Sequence, residues 1–454
     1  MNLPNYFYAD LPPEAELTPT MLTGACQAIK RNREKHLAPR TTADLINLLG
    51  ELGANWRHAD FPFRKFALEQ GPAATGFSRA TLERGLDTFF RELTATNLEM
   101  LVAQELGHAQ RLDKLSAPRA EEAVGRAALA RGPELIAHIA AGNLPNPTLM
   151  SLALGLLARS AQFVKCARGT SFLPRLFAHS IYDADKKIGG CLEIAEWRGG
   201  HATLETALFA EADCVTATGS DETLADIRSR LPVTKRFLGY GHQLSFAFVA
   251  SDAFAGGRLS QTVACAAADV TAWDQHGCLS PHVIYVETGG NVTPEKFAEL
   301  LATELAAWEL REPRAPLPAA EAAAIASRRG IYEVRAAHDP DATRHWCSEG
   351  STAWTVVFEA DARFQVSCLN RFIYVKPVKD LTQALQQAEV VRGKVSTVGL
   401  AAPEVKAGEL ATQLARWGVT RVCPLGRMQS PPLTWRHDGR PALGDLVTWT
   451  DVEA

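Results

Sequence analysis

The sequence predicts an α/β protein with two parallel-sheet domains, because short strands and helices alternate along most of the chain. The alternation begins near residue 134 and starts again after Cys278. Strands separated by helices of roughly 10–15 residues are typical of βαβ units, in which neighbouring strands run parallel. A chain of 454 residues is long enough to bury the cores of two or three domains.

The first part of the chain, residues 1–115, is predicted to be mostly helical. Large apolar residues recur there at the three- and four-residue spacing of a helix face. These residues are Leu45, Leu48, Leu49 and Leu52 in one stretch and Leu82, Leu86, Phe89, Phe90 and Leu93 in another. We expect this segment to be the helical N-terminal part of the α/β domain that follows it.

A first α/β domain is predicted over residues 116–255. Short apolar runs of the kind found in strands buried on both faces of a parallel sheet alternate there with a helical pattern. The predicted strands are 134–140, 162–165, 212–217 and 245–249, and the predicted helix is 148–160.

A second α/β domain is predicted over residues 256–425. Its predicted helices are 262–271, 294–308, 319–327 and 381–388, and its predicted strands are 283–286, 355–359 and 372–375. Residues 426–454 hold a turn at 437–439 and a final apolar strand at 446–449. Since such a strand needs a partner edge, we expect this segment to bridge the subunits of a homo-oligomer.

Composition excludes several classes of partner. The chain is 46% hydrophobic and 22% charged, as in ordinary globular enzymes, and its net charge of −4 offers no general attraction to nucleic acid or to an anionic membrane. Its start does not resemble a secretory leader, and no apolar run is long enough for a membrane span. Nine scattered cysteines without a Cys-x-x-Cys pair predict reduced thiols and a cytoplasmic protein.

Cys278 is the principal candidate for a catalytic residue. It lies between a helix rich in small residues and a β-branched strand, Gly277 allows a tight turn before it, and Pro281 ends any helix after it. A cysteine thiolate is a strong nucleophile for acyl transfer. The alternative is a buried structural cysteine. A metal cluster with His276 and His282 is not expected, because this spacing fits no usual zinc pattern.

Other candidate residues follow predicted strands, where open α/β sheets bind ligands. Asn143 follows the first strand and offers a side-chain amide, although it could instead cap the next helix. Lys165 and Arg168 place two cations after the second strand, and Arg168 could equally be a solvated surface charge. Gly219 and Ser220 precede a helix and suit a phosphate or a simple helix cap. Cys278 is expected at a fourth such loop.

The sequence contains no common nucleotide-binding or hydrolase motif that would indicate a different active site. A Walker A sequence, a Gly-x-Ser-x-Gly elbow and a His-Glu-x-x-His helix are all missing from the sequence. The segment 239–241 lacks the third glycine of a dinucleotide-binding fingerprint.

Taken in order, these motifs resemble the aldehyde dehydrogenase superfamily: Asn-x-Pro, a strand ending in lysine, Gly-Ser before a helix, and Gln-x-x-Cys. Within it, the segments 275–281, 426–428 and 435–439 are similar to LuxC-type acyl-CoA reductases, which are the reductase subunits of a bacterial fatty acid reductase. The resemblance covers about residues 130–454. It implies a Rossmann-type cofactor domain, an α/β catalytic domain and a small C-terminal oligomerisation strand.

The resemblance also implies roles for individual residues. Cys278 would attack the thioester of an acyl-CoA, with a long-chain acyl group expected, or of an acyl-carrier protein. Asn143 would donate to the oxyanion, together with the backbone N–H of Cys278. Lys165 would contact the adenosine ribose of a nicotinamide cofactor, and Gly219 and Ser220 its pyrophosphate. Arg168 stands where members that prefer NAD often carry glutamate, which favours NADPH because a guanidinium binds a 2′-phosphate well.

Two departures from the superfamily bear on the reaction. Phe237 occupies the position of the glutamate that activates water in hydrolytic members, so the acyl-enzyme is expected to resist hydrolysis. The glutamate that holds the nicotinamide ribose has no clear counterpart, and Glu359 is a weak substitute.

The sequence therefore predicts an acyl-thioester reductase that forms aldehyde with NADPH. Two alternatives stay open: a cysteine-dependent acyltransferase or thioesterase, and a catalytically silent scaffold for an acyl-activating partner enzyme. Acyl chain length, the choice between CoA and carrier-protein donors, and the pathway served are not defined by the sequence.

Overall fold

The computed structural model describes residues 3–12 and 14–453. The chain divides into two compact units. The first is formed by described residues within Met1–Thr75, Leu86–Gly241 and Pro432–Ala454, and the second by Gly76–Gly85 and His242–Pro431.

The N-terminal region is helical, as predicted, and its helices begin at side-chain caps. Thr18, Thr41 and Thr94 each accept a backbone N–H at the start of a helix. The helices before the first sheet are α1 (Pro19–Asn32), α2 (Thr42–Arg57), α3 (Pro62–Thr75), α4 (Arg79–Glu92), α5 (Ala95–Leu106) and α6 (Arg119–Glu122). Leu45, Leu49 and Leu52 are buried on one face of α2, as their spacing indicates.

The first unit contains a parallel sheet of five strands within the described residues, and helices connect those strands. The strands of the unit up to Tyr240 are β1 (Arg126–Arg131), β2 (Leu135–Ile139), β3 (Ala161–Cys166), β4 (Leu192–Glu196), β5 (Cys214–Thr218) and β6 (Arg236–Tyr240). The connecting helices are α7 (Asn146–Leu157), α8 (Phe172–Ala184), α9 (Lys186–Gly189), α10 (Ala202–Glu211) and α11 (Asp221–Arg230). The spatial order is β4-β3-β2-β5-β6, so the direction of winding reverses between β2 and β5. Crevices at such reversals bind ligands in open α/β sheets.

The second unit contains a sheet of seven strands within the described residues, packed on both faces by apolar side chains. Its strands are β7 (Leu244–Val249), β8 (Pro281–Glu287), β9 (Thr343–Cys347), β10 (Thr355–Glu359), β11 (Phe372–Val378), β12 (Val395–Ala401) and β13 (Arg421–Pro424). Its helices are α12 (Leu259–Thr271), α13 (Pro294–Arg311), α14 (Ala319–His338), α15 (Leu381–Gln387) and α16 (Glu404–Trp417). The order is β13-β12-β7-β8-β11-β10-β9, with only β9 antiparallel to its neighbour among these strands.

The strand predicted at 245–249 belongs to the second unit and not to the first α/β domain. It is β7, which pairs in parallel with β8 on one side and β12 on the other. The sequence shows an apolar strand here, but strand composition does not reveal which sheet a strand joins.

The C-terminal strand finds a partner within its own chain. It forms as β14 (Thr448–Glu453), slightly later than the predicted 446–449, and pairs antiparallel with β1 from Arg126↔Glu453 to Arg131↔Thr448. The edge that the sequence assigned to another subunit is therefore supplied by β1. Among the described residues, the longest apolar helical windows fall short of what a membrane crossing requires.

Candidate active site

Cys278 lies in a tight turn between the end of α12 and the start of β8. The turn follows a short 3-10 segment, Ala272–Gln275, and ends at Pro281. The cysteine is half-buried. Its carbonyl oxygen accepts a hydrogen bond of 2.7 Å from the hydroxyl of Ser245 in β7. The cysteine turn therefore leads into the middle strand of the sheet, β8, and is bonded to the buried neighbouring strand β7.

The expectation that Cys278 follows a strand is wrong. The cysteine precedes β8 and lies at the amino end of that strand. The reason is the βαβ connection, in which α12 returns the chain from the carboxyl end of β7 to the amino end of the parallel strand β8. Its hydrogen-bond partner Ser245 likewise lies near the amino end of β7.

Two stretches of left-handed backbone flank the site, and we call them the paired turns. Residues 273–275 have φ values of 50°, 49° and 69°, and residues 369–371 have φ values of 59°, 58° and 64°. None of these residues is glycine. A non-glycine residue in this conformation costs about 1–3 kcal/mol and persists only where its surroundings fix it.

Gln275 joins the paired turns through a fully buried amide. Its Nε2 donates to the carbonyl oxygens of Pro281 at 2.8 Å and Phe372 at 2.9 Å, and lies 3.2 Å from the hydroxyl of Ser367. Its Oε1 accepts the N–H of Phe372 at 2.8 Å. One side chain therefore ties the segment before Cys278 to the first residue of β8 and to β11.

Arg371 and Asp274 form a buried ion pair between the same turns. The guanidinium is fully buried, and its Nε and Nη2 lie 2.8 and 2.7 Å from Asp274 Oδ1. Nη1 donates to Glu309 at 2.7 Å, and the carbonyl oxygen of Glu312 accepts from both terminal nitrogens at 3.1 Å. The sequence reasoning did not identify either member of this pair.

Two histidines near Cys278 are held by polar neighbours. His276 Nε2 lies 2.8 Å from Asn370 Oδ1. His282 Nδ1 accepts the backbone N–H of Ser367 at 3.1 Å, so its proton is on Nε2 when the ring is neutral. Burial lowers the pKa of His282 to about 4, and this ring is therefore uncharged at neutral pH.

The segment after β13, which contains the Gly-Arg-Met motif, packs under the cysteine turn. Asp269 of α12 accepts the N–H of Gly426 at 2.5 Å and of Met428 at 2.9 Å. Burial raises the pKa of Asp269 to about 7. Gln429 then donates to the hydroxyl of Ser280 at 2.6 Å. A Cβ on Gly277 would overlap the Gln429 amide, which explains a glycine directly before the cysteine.

The first unit brings three groups of predicted site residues to the carboxyl ends of neighbouring strands of its sheet. Asn143 and Gly219 lie in the loops after β2 and β5, and Lys165 lies near the carboxyl end of β3; these three strands are neighbours. Asn143 is exposed in its loop. It is not the cap residue of α7, because that position is occupied by Pro145.

Lys165 is buried at the end of β3, whereas Arg168 is exposed in the turn beyond it. Lys165 Nζ lies 5.8 Å from the centre of the Trp197 ring, and the structure gives it no hydrogen bond to any described residue. Burial lowers the pKa of Lys165, and Glu205 partly offsets that effect. An ammonium group in this position retains its capacity to bond a ligand hydroxyl or phosphate.

Ser220 caps the helix that follows β5. Its hydroxyl accepts the N–H of Thr223 at 3.3 Å at the start of α11. Asp221 and Glu222 in the first turn of α11 are exposed carboxylates, and their negative charge interacts favourably with the positive end of the helix dipole. The cap alternative for Ser220 is therefore realised, and the two carboxylates reduce the attraction of this helix end for an anion.

A small cavity lies at the carboxyl ends of β2 and β5. Residues that line it were not predicted from the sequence. The cavity is lined by residues that include His138, Leu144, Thr148, Ser151 and Thr216. His138 Nδ1 lies 2.7 Å from the Thr216 hydroxyl, and burial lowers the pKa of this histidine to about 4. A histidine inside an otherwise apolar strand was the signal that could have been used.

The structure shows where Phe237 and Glu359, the two departures from the superfamily pattern, lie. Phe237 is in β6 and packs against the apolar core of the first unit. Glu359 is buried between Arg335 at 2.6 Å and Lys376 at 3.0 Å, so both carboxylate oxygens are engaged. Among the residues described, no three His, Cys, Asp or Glu side chains are grouped to hold a metal ion.

A model of the LuxC family, described as acyl-CoA reductase, matches residues 37–449. The chain belongs to this family. It is 21% identical over 415 residues to a "Long-chain acyl-protein thioester reductase" of Photorhabdus laumondii, covering 90% of this chain and 82% of the relative. The prediction that the chain is an oxidoreductase of the acyl-CoA reductase class is confirmed by the family match.

Solved structures confirm the aldehyde dehydrogenase-like fold. An NAD-dependent benzaldehyde dehydrogenase from Corynebacterium glutamicum superposes with a TM-score of 0.68 at 13% identity, over 97% of this chain and 90% of the other. A bifunctional proline utilization A protein has the same TM-score at 15% identity, and the chain spans 45% of that protein's length.

Proposed function

We propose that the protein reduces a long-chain acyl thioester to the aldehyde with NADPH, through an acyl group carried on Cys278. The observation that carries the proposal is the setting of Cys278 in a chain of the acyl-CoA reductase family. The cysteine is half-buried and follows backbone at positive φ, its carbonyl oxygen is bonded by Ser245 of β7, and the nearby Gln275 bonds the first residues of β8 and β11. Such fixation suits a nucleophile that must meet a carbonyl carbon in one orientation.

The proposed reaction has two halves. The Cys278 thiolate bonds to the carbonyl carbon of the thioester, the bond from that carbon to the donor sulfur breaks, and the donor leaves as its thiolate. The acyl-cysteine then accepts a hydride at the same carbon. The resulting thiohemiacetal releases aldehyde and returns the electron pair to the Cys278 sulfur, and the one proton taken up overall converts the departed donor thiolate to the thiol.

Asn143 is proposed to donate its side-chain amide to the oxyanion formed in each half, together with the backbone N–H of Cys278. Removing one donor of this kind typically lowers the rate by ~10²–10³. Asn143 is exposed in the loop after β2, and the cap residue of α7 is Pro145.

The first unit is proposed to hold the nicotinamide cofactor, which supplies the hydride when bound. The fit rests on the reversal of winding between β2 and β5 and on the buried Lys165 ammonium, whose hydrogen-bonding capacity is not used by described residues. Arg168, exposed in the next turn, would take the 2′-phosphate. Gly219 is proposed to lie against the pyrophosphate through its backbone, while the Ser220 hydroxyl is already used as a helix cap.

The residues also favour reduction over hydrolysis. Phe237 packs against the apolar core of the first unit and offers no base to a water molecule. The acyl-cysteine would therefore persist until hydride or a thiol reaches it. A reductase acting in the cytoplasm as a homo-oligomer, with CoA or a carrier protein as donor and an acyl-activating enzyme as partner, fits this chemistry.

The test is a steady-state assay that follows NADPH oxidation with acyl-CoAs of increasing chain length and with acyl-protein thioesters. The Cys278→Ala variant should lose the activity, whereas Cys347→Ala, which removes another half-buried cysteine of the second unit, should retain it. Aldehyde should accumulate in equal amount to the NADPH consumed.

The alternatives predict different results. Acylation of Cys278 without NADPH oxidation would support a transferase or thioesterase. A Cys278→Ala variant that keeps full reductase activity would refute the assignment of the nucleophile.

A further inference from the structure

We propose that the paired turns, residues 273–275 and 369–371, form a clasp that positions Cys278, with Gln275 and Asn370 as positioning residues. The inference deepens the proposed function and rests on it, because it concerns how the nucleophile is aimed. Neither turn is assigned a role by the family resemblance, and the two segments are distant in the sequence.

The backbone of the paired turns is unusual enough to require an explanation. Each turn has three successive non-glycine residues at positive φ. Isolated left-handed residues are common at helix ends, but runs of them are not. Strained backbone of this kind clusters at functional sites, where neighbouring groups fix it. One of the two runs ends three positions before Cys278.

Hydrogen bonds and an ion pair join the two turns and the residues that directly follow them. Asp274 pairs with Arg371, Gln275 pairs with the backbone of Phe372, and His276 pairs with Asn370. Three consecutive residues, 274–276, thus contact three consecutive residues, 370–372, of the other segment. This arrangement fixes the direction in which the chain leaves the first turn towards the cysteine.

The clasp continues past the cysteine. Gln275 Nε2 also donates to the carbonyl oxygen of Pro281, at the far end of the cysteine turn. The Ser245 hydroxyl holds the carbonyl of Cys278 from β7. The turn is therefore held before, at and after the nucleophile, and Gln275 contacts two of the three sets of groups.

The main test uses Gln275→Leu, which keeps the volume of the side chain and removes all of its hydrogen bonds. The matched control is Gln162→Leu, because Gln162 is equally buried and bonds the carbonyl of Leu152 in the first unit. Single-turnover acylation of the holoenzyme by acyl-CoA is followed by intact mass, and NADPH binding by fluorescence.

For Gln275→Leu we expect the maximal acylation rate to fall about 10²-fold, since a displacement of about 1 Å can cost this much. The acyl-CoA concentration for half-maximal rate and the dissociation constant of NADPH should change less than twofold. Gln162→Leu should lower thermal stability comparably without slowing acylation. An unchanged acylation rate in Gln275→Leu, or an equal loss in both variants, would overturn the inference.

A second variant keeps the test decisive if Gln275→Leu does not fold. Asn370→Gly retains a residue that tolerates positive φ and removes the side chain that meets His276. It should fold and slow acylation about tenfold through a misaligned nucleophile, and a wild-type rate would refute the clasp. Failure of the proposed function is distinguishable, because wild type would then not be acylated or acylation would survive in Cys278→Ala, whereas failure of the clasp alone leaves acylation of wild type intact and dependent on Cys278.

Discussion

Replacement of Arg371 by methionine should destabilise the second unit strongly, although the new side chain fills most of the same volume. The guanidinium is fully buried and satisfies the Asp274 carboxylate, the Glu309 carboxylate and the Glu312 carbonyl. Asp274 is 3% exposed, so water cannot replace the lost partner without opening the turn.

The expected cost follows from what is left behind. Breaking a buried ion pair by removing one partner costs about 3–5 kcal/mol, because an uncompensated charge stays in the interior. Each further orphaned acceptor costs about 1–3 kcal/mol. Glu309 is partly exposed and can recover water, so we expect a loss of about 4 kcal/mol in the free energy of unfolding.

The assay is equilibrium unfolding in urea of wild type, Arg371→Met, Asp274→Asn and the double variant. The double variant should be more stable than Arg371→Met, since it removes the stranded charge. A loss below about 1 kcal/mol in Arg371→Met would refute the reasoning, because a cost of that size is typical of exposed ion pairs. Equal stability of Arg371→Met and the double variant would also contradict it.

Three further predictions concern single residues. Burial lowers the pKa of His282 to about 4, so the free energy of unfolding should fall as pH decreases from about 6.5 towards 4. In urea unfolding, His282→Gln should lack about 3 kcal/mol of this pH dependence. An unchanged pH profile in the variant would contradict the burial argument. Arg168→Glu should lower the ratio of kcat/KM for NADPH to kcat/KM for NADH at least about tenfold, as expected for loss of a charged hydrogen bond. The control Arg31→Glu, which changes another exposed arginine, should leave this ratio unchanged. A wild-type ratio in Arg168→Glu would show that Arg168 does not contact the cofactor. Ser220→Ala should lower the free energy of unfolding by about 1 kcal/mol, because a helix cap is lost. Its KM for NADPH in steady-state assays should stay unchanged, and a raised KM would show that the Ser220 hydroxyl also binds the cofactor.

Most of the fold could be predicted because it depends on local patterns. The apolar runs that became β2, β3, β5 and β8 and the leucine spacing of α2 are visible in the sequence and were found in the structure. Two strands of the first sheet were missed. β4 alternates apolar residues with glutamate and β6 contains Gly239, so neither forms the continuous apolar run expected of a buried strand.

The candidate site was predicted less completely because its geometry is not local. The motif around Cys278 singled out the residue proposed as the nucleophile, but the prediction placed it after a strand, whereas it precedes β8. The paired turns could not be predicted at all. Trp273 and Arg371 carry no preference for left-handed backbone, and only Asp274 and Asn370 are of types enriched there. Contacts between segments almost a hundred residues apart impose that conformation.

The pairing of β1 with β14 has a consequence for synthesis. Arg131 leaves the ribosome long before Thr448, its partner in the small sheet, and His242–Pro431, the larger part of the second unit, is translated in between. The first unit therefore cannot complete itself in the order in which it is made, and β1 remains an open edge while the nascent chain grows. Nascent molecules should depend on chaperones during this interval, and truncation before residue 448 should yield chains that aggregate through β1.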